Sequence, residues 1–267
     1  MPRSARPRHS PPPFQQRLLQ RPLLTASALL LLVSFLFLAV PRLDVAVSAL
    51  FYDPTGGFRD GSVAYIVREI GRIAEWTAAL ALAAPLLVKL LAPESRLLMP
   101  PRASLFALAA LAIGPGLIVN GILKHFWGRA RPREIIEFGG DASFSPAWWI
   151  SDQCGRNCSF VSGEAAAAFW LVALVFVVPR AWRPLVAWVA MTLAMAVSFV
   201  RVAGGGHFLS DVIIAWLLTL IVIIAAQRLI LQGLPPEFDA SVEAGIRRAG
   251  LALRRWWAAR DGPPATG

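Results

Sequence analysis

The sequence predicts an all-α fold, a polytopic membrane helical bundle of about six transmembrane helices, and three observations carry that prediction. Hydrophobic residues fill 57% of the 267 positions and charged residues only 16%. Mean hydropathy is +0.59. Apolar runs long enough to cross a bilayer follow one another with short, arginine-bearing gaps. A soluble domain could hardly bury so much apolar surface, so lipid is the natural solvent for most of the chain.

Taken in order, residues 1–22 hold Arg3, Arg6, Arg8, Arg17 and Arg21 with no acid, the composition of a disordered cytoplasmic tail. Leu23–Val40 is long for a signal-peptide core and reads as a retained first span. Residues 42–72 mix charged and aromatic positions around the turn signal Pro54-Thr55-Gly56-Gly57, which suits short stretches lying at the interface. Further spans are expected at Ile73–Leu91, Ser104–Leu123, Ala165–Val178, Leu185–Phe199 and Val212–Leu231. Gly114-Pro115-Gly116 predicts a kink in the third. The transmembrane domain thus covers 23–231. Beyond it, in 232–267, Val242, Ile246, Leu253 and Trp257 share a helical face beside Arg247, Arg248, Arg254 and Arg255, as in a basic amphipathic helix on the inner leaflet.

The net charge of +10 lies largely in the tails and short loops beside apolar segments. That placement fits membrane orientation and anionic headgroups, and no nucleic-acid motif accompanies it. The arginine bias puts both tails and the 92–102 and 179–184 turns on the cytoplasmic side. The site then faces the periplasm across an inner (plasma) membrane, if the chain is bacterial. Cys154 and Cys158 are spaced too widely for a C-x-x-C site. A disulfide in an oxidising compartment and two free thiols both fit.

Three separated runs carry the chemistry. They are Lys124 with Arg131-Pro132, then Ser162-Gly163-Glu164, then Arg201 through His207 to Asp211. Lys124, Arg131 and Arg201 supply cations for the equatorial oxygens of a transferring phosphoryl group. Asp211 follows His207 by one helical turn, so its carboxylate is expected to reach the second ring nitrogen and fix the tautomer. Ser162 and Gly163 open the fourth span, where backbone N–H groups favour an anion and Ser162 equally suits an N-cap.

These ordered motifs resemble those of the type 2 phosphatidic acid phosphatase superfamily, which also includes vanadium haloperoxidases. The family pattern reads K-x6-R-P, P-S-G-H, S-R-x5-H-x3-D, and the resemblance covers roughly residues 100–225. It implies a membrane lipid phosphatase working through a phosphohistidine on His207, with no metal and no cofactor. Phosphatidate, phosphatidylglycerol phosphate, polyprenyl diphosphate and lipid A phosphate are the substrate classes it suggests. The alternatives are a vanadium-dependent haloperoxidase and a non-catalytic phospholipid-binding or transport protein.

The chain departs from that pattern at Val161, at Ser198 (not adjacent to Arg201) and at Glu164, where the family has a proton-donating histidine. Three accounts of Glu164 follow. It is a general acid, its substrate has a leaving group that needs little protonation, or it only complements the helix dipole. An ionised Glu164 must turn toward a cation, and Arg129 is one candidate partner. His125 is expected to bond locally, and Asn120 either orients Lys124 or caps a helix end.

Overall fold

The computed structural model describes residues 21–260. The expected tail at 1–22 falls almost wholly outside them, as do residues 261–267. Helix α1 (Pro22–Ala39) is followed by a short α2 (Arg42–Ala49) and a two-stranded antiparallel hairpin, Tyr52–Asp53 with Gly57–Phe58. Asp53 Oδ1 accepts the Thr55 N–H at 2.9 Å, which closes the turn that Pro54 and Gly56 favour. Then come α3 (Ser62–Leu91) and α4 (Pro101–Phe126). After a long loop, α5 (Gly163–Trp170) continues as a 3-10 segment to Phe176. Helices α6 (Arg183–Ala203), α7 (Leu209–Ala226, extended to Gln232) and α8 (Phe238–Arg260) complete the order.

Among the described residues, five helices are long and apolar enough to cross a membrane, and Gly163–Phe176 is a shorter apolar helix. The chain is therefore a multi-pass membrane protein. Leu31, Phe35, Ile73, Leu80, Trp188 and Phe199 are exposed along these helices, as lipid-facing residues must be. Small residues make up part of the interior. Ala107, Ala110, Ala173, Ala190 and Ala226 surround Trp170, whose Nε1 donates to Ala107 O at 2.8 Å. Without a hydrophobic drive between helices in lipid, close backbone approach over alanine supplies the contact.

Two elements differ from expectation. The helix that carries the expected span Ile73–Leu91 begins already at Ser62, so Arg68, Glu69 and Arg72 lie on its first turns rather than in a separate interfacial stretch, and Glu75 follows on the same helix. Their charge hid the helix from a hydropathy reading, but it is tolerated because these side chains line a polar cleft. In α4 the Gly-Pro-Gly kink takes the form of a π-helical stretch over Ala112–Leu123. Pro115 has no N–H to donate, and Asn120 Nδ2 donates to the Pro115 carbonyl at 2.7 Å.

The end of α4, the start of α5, the end of α6 and the start of α7 all meet at one end of the bundle. At the other end α8 docks on the α3–α4 turn. There Lys89 Nζ donates to Glu243 Oε1 and Ser95 O, both at 2.8 Å, and Arg102 Nε pairs with Asp239 Oδ2 at 2.6 Å.

Candidate active site

The histidine run lies in the connection between α6 and α7. Gly205 has φ +63° and packs against the Phe58 ring, a conformation and an approach that a side chain would disfavour. The tight turn that results returns His207 N–H to the Arg201 carbonyl at 3.1 Å, so two motif residues share one knot of backbone.

His207 is buried, and its Nδ1 donates to the Ser159 carbonyl at 2.7 Å. A carbonyl only accepts, so Nδ1 carries the proton and Nε2 keeps its lone pair. Burial pushes this imidazole down to about 4 from its ordinary 6.5, against the opposing pull of Asp211 and with help from Arg201 and Lys124. The ring is therefore neutral at neutral pH, as a nucleophile must be.

Asp211 does not touch the ring as expected. Its Oδ2 stands 3.8 Å from His207 Nδ1 and accepts instead from Ser159 Oγ at 2.5 Å and Phe208 N–H at 2.9 Å. The carboxylate thus fixes the residue whose carbonyl fixes the histidine. Sequence reasoning missed Ser159 because that contact spans 48 positions and follows no helical period.

Arg129 is not in the cation cluster and does not pair with Glu164. It is fully buried behind the site, with Nη1 on Asp211 Oδ1 at 2.6 Å, Nη2 on Asp44 Oδ2 at 2.8 Å and Nε on Ser145 O at 2.8 Å. Asp44, on α2, also accepts from Ser210 N at 2.9 Å and Ser210 Oγ at 2.6 Å. Burial opposes both charges. The two flanking carboxylates nonetheless raise Arg129, while burial leaves Asp44 above its ordinary value.

Lys124, Arg131 and Arg201 lie near enough to repel one another, and Lys124 and Arg201 near enough to act on His207. The Lys124 side chain makes no hydrogen bond or ion pair among the described residues. Arg201 is buried, and its Nε lacks a hydrogen-bond partner among the described residues. Arg131 gives Nη2 to the Asn157 carbonyl at 2.8 Å, within a loop closed by a Cys154–Cys158 disulfide. Unsatisfied cationic donors around a neutral imidazole make a place for an anion.

In the second motif Ser162 takes the N-cap role. Ser162 Oγ caps α5 by accepting Ala165 N–H at 3.3 Å, and Ser162 N–H is used by the Asp211 carbonyl at 3.2 Å. Gly163 and its successors remain the N-terminal donors, and Gly163 abuts the Asn120 amide so closely that a side chain would overlap it. Glu164 turns toward cations. It accepts Arg68 Nε at 2.8 Å and Arg68 Nη2 at 2.9 Å, and it lies 3.7 Å from Arg201 Nε. This fork-to-fork geometry belongs to a carboxylate rather than to a carboxylic acid, so it disfavours the general-acid account. Arg68 was missed because only the longer α3 brings it to the site. His125 Nδ1 lies 3.2 Å from Asn120 O, a local bond.

Residues 103–232 match the PAP2 superfamily model. The chain is 44% identical over 119 residues to a lipid A 4'-phosphatase of Rhizobium leguminosarum, which takes in 45% of this chain and 51% of that protein. It is 43% identical over 113 residues to a lipid A 4'-phosphatase of Francisella tularensis subsp. novicida, 42% of this chain and 51% of that protein. The chain spans about half the length of these curated relatives. Among solved structures, a transmembrane PAP2 type phosphatidylglycerolphosphate phosphatase from Bacillus subtilis superposes with a TM-score of 0.52 at 18% identity, covering 77% of this chain and 94% of that one. That likeness concerns the fold. Residues 103–232 of this chain therefore form a membrane domain of the PAP2 superfamily.

Proposed function

We propose that this protein is a metal-independent membrane lipid phosphatase acting through a phosphohistidine on His207, with a phosphorylated lipid A-type glycolipid as substrate. The observation that carries the reading is the neutral His207, its Nδ1–H held by Ser159 so that Nε2 is the free nucleophile, among the cations Lys124, Arg131 and Arg201. The substrate class follows the printed names of the relatives.

In the first step Nε2 bonds to phosphorus and the phosphorus–oxygen bond to the sugar breaks, the leaving oxygen taking a proton from water. The three cations hold the equatorial oxygens. Asp211, through Ser159 and Phe208 N–H, supports the positive imidazole that forms. In the second step water attacks the phosphohistidine, phosphate leaves, and Nε2 regains its lone pair. Glu164 is a positioning residue here, holding Arg68 and Arg201 beside the phosphate. Ser162 serves by capping α5, and Gly163 offers backbone N–H to the anion.

The membrane domain 23–231 is flanked by basic segments at 1–22 and 232–267 on the cytoplasmic side of the inner membrane, with the site facing the periplasm. Arginine bias supports this orientation, as does a disulfide beside the site, which suits an oxidising compartment. The C-terminal helix rests on the inner leaflet with Trp256 and Trp257 exposed.

Purified protein in detergent, given a 4'-phosphorylated lipid A and a chelator of divalent cations, is expected to release inorganic phosphate at an undiminished rate. No release from this or any of the other lipid classes would end the phosphatase reading. A second expectation concerns protonation. The unfolded imidazole titrates near 6.5 and the folded one near about 4, so the native state binds fewer protons within that window. Stability contributed by His207 is whole above the upper value and is lost as pH falls toward the lower one. NMR of labelled histidine should show this ring neutral at pH 5.5, while protonation at its ordinary value would remove the neutral nucleophile.

A further inference from the structure

A cleft of about 240 Å³ opens between α3, α4 and α5 beside the cation cluster. Lys124, Arg68 and Glu164 belong to the proposed phosphate end. Glu75, Trp76 and Asn120 also line it, and the chemistry above uses none of them. On α3 the positions Arg68, Gly71, Arg72, Glu75 and Trp76 recur at helical spacing, so one face of the helix forms this wall. Glu75 lies seven residues beyond Arg68, two turns or about 10 Å further along the helix.

Glu75 is the unexplained group. It sits within a membrane-crossing helix, and its carboxyl makes no hydrogen bond or ion pair among the described residues. Its neighbour Arg72, one turn back, is paired with Glu69. An ionisable side chain at membrane level is costly and ordinarily serves a ligand or a proton. A carboxylate next to a phosphate site repels a second anion but accepts O–H and N–H donors. Asn120 commits one of its two Nδ2–H donors to Pro115 O, and its amide oxygen is a second acceptor at the cleft. Trp76, 63% exposed at the same cleft, presents an apolar ring face.

Two acceptors and an indole beside a phosphate cage select among leaving groups. A diacylglycerol offers mostly ester carbonyls, which cannot donate to Glu75 or Asn120, and a polyprenyl chain offers no donor. A sugar ring offers hydroxyl and amide donors on its edge and C–H groups on its face. The cleft, of about 240 Å³, has room for one such ring.

We infer that this cleft is the leaving-group subsite for a hexosamine ring of a phosphorylated glycolipid, with Glu75 and Asn120 accepting its O–H and N–H donors and Trp76 covering its face. The inference rests on the phosphatase reading and adds the residues that set its specificity. Its test compares wild type with Glu75→Leu, Glu75→Gln and Trp76→Ala in mixed micelles. Phosphate release is measured from 4'-phosphorylated lipid A and from phosphatidate.

The glycolipid-to-phosphatidate ratio of kcat/KM is expected to fall roughly 10–100-fold in Glu75→Leu, and less in Glu75→Gln, whose amide oxygen still accepts. A ratio unchanged by both Glu75→Leu and Trp76→Ala would overturn the subsite. A second measurement needs no turnover: direct binding of dephosphorylated lipid A to the protein in micelles. Weaker binding in Glu75→Leu than in wild type supports the subsite even where no phosphate is released, and equal binding overturns it. Failure of phosphate release alone counts against the phosphatase reading instead.

Discussion

Phosphate release is expected to fall by roughly 10⁴–10⁶ when His207 becomes alanine, to the level that binding and the cation cluster alone sustain. The size follows from the covalent route, since without Nε2 there is no phosphorus–nitrogen bond to form. Ser159 and Asp211 are organised around a ring that is then missing. Two readouts separate this loss from misfolding. The His207→Ala protein should keep its thermal midpoint within a few degrees, because the neutral ring makes one backbone hydrogen bond and carries no paired charge. Wild type quenched during turnover of a radiolabelled substrate should retain acid-labile, alkali-stable label, as a phosphoramidate does, and His207→Ala should retain none. Activity surviving in the variant would move the nucleophile elsewhere.

Arg129→Ala is expected to cost about 3–5 kcal/mol of stability, although the side chain lies behind the catalytic face. The guanidinium is the cation that Asp44 and Asp211 share, and all three side chains are fully buried. Removing it leaves two carboxylates in a low-dielectric interior with no counter-charge. For a chain of this size the thermal midpoint should drop by roughly 10 °C. Asp44→Asn alone should cost less. Combined with Arg129→Ala it should recover part of the loss, since one of the two stranded charges is gone, and a double-mutant cycle measures that coupling. An unchanged midpoint in Arg129→Ala would mean that the buried charges are not held as the geometry requires. Asp44 lies outside the family segment, so the N-terminal part of the chain contributes to the site from behind.

The motif residues were legible in sequence because each rests on local spacing. Lys124 and Arg131 flank the end of α4, and His207 stands four residues before Asp211 at the start of α7. The partners were not legible. Ser159, Arg68 and Asp44 reach the site across 48, 96 and 166 positions, measured to His207, Glu164 and Ser210 respectively, and no helical or strand period relates such pairs. Arg68 was further hidden by the charge of its own segment, which masked the first turns of α3.

By itself, the order of residues determined a helical bundle in lipid, because apolar runs of bilayer length have no other solvent. It also determined which histidine and which cations are available. Only the tertiary structure decided what each charge faces: that Glu164 meets Arg68, that Arg129 turns inward to two aspartates, and that a backbone carbonyl holds the histidine's proton. Coulomb energy depends on distance in space and on local burial, and neither is a property of position along the chain.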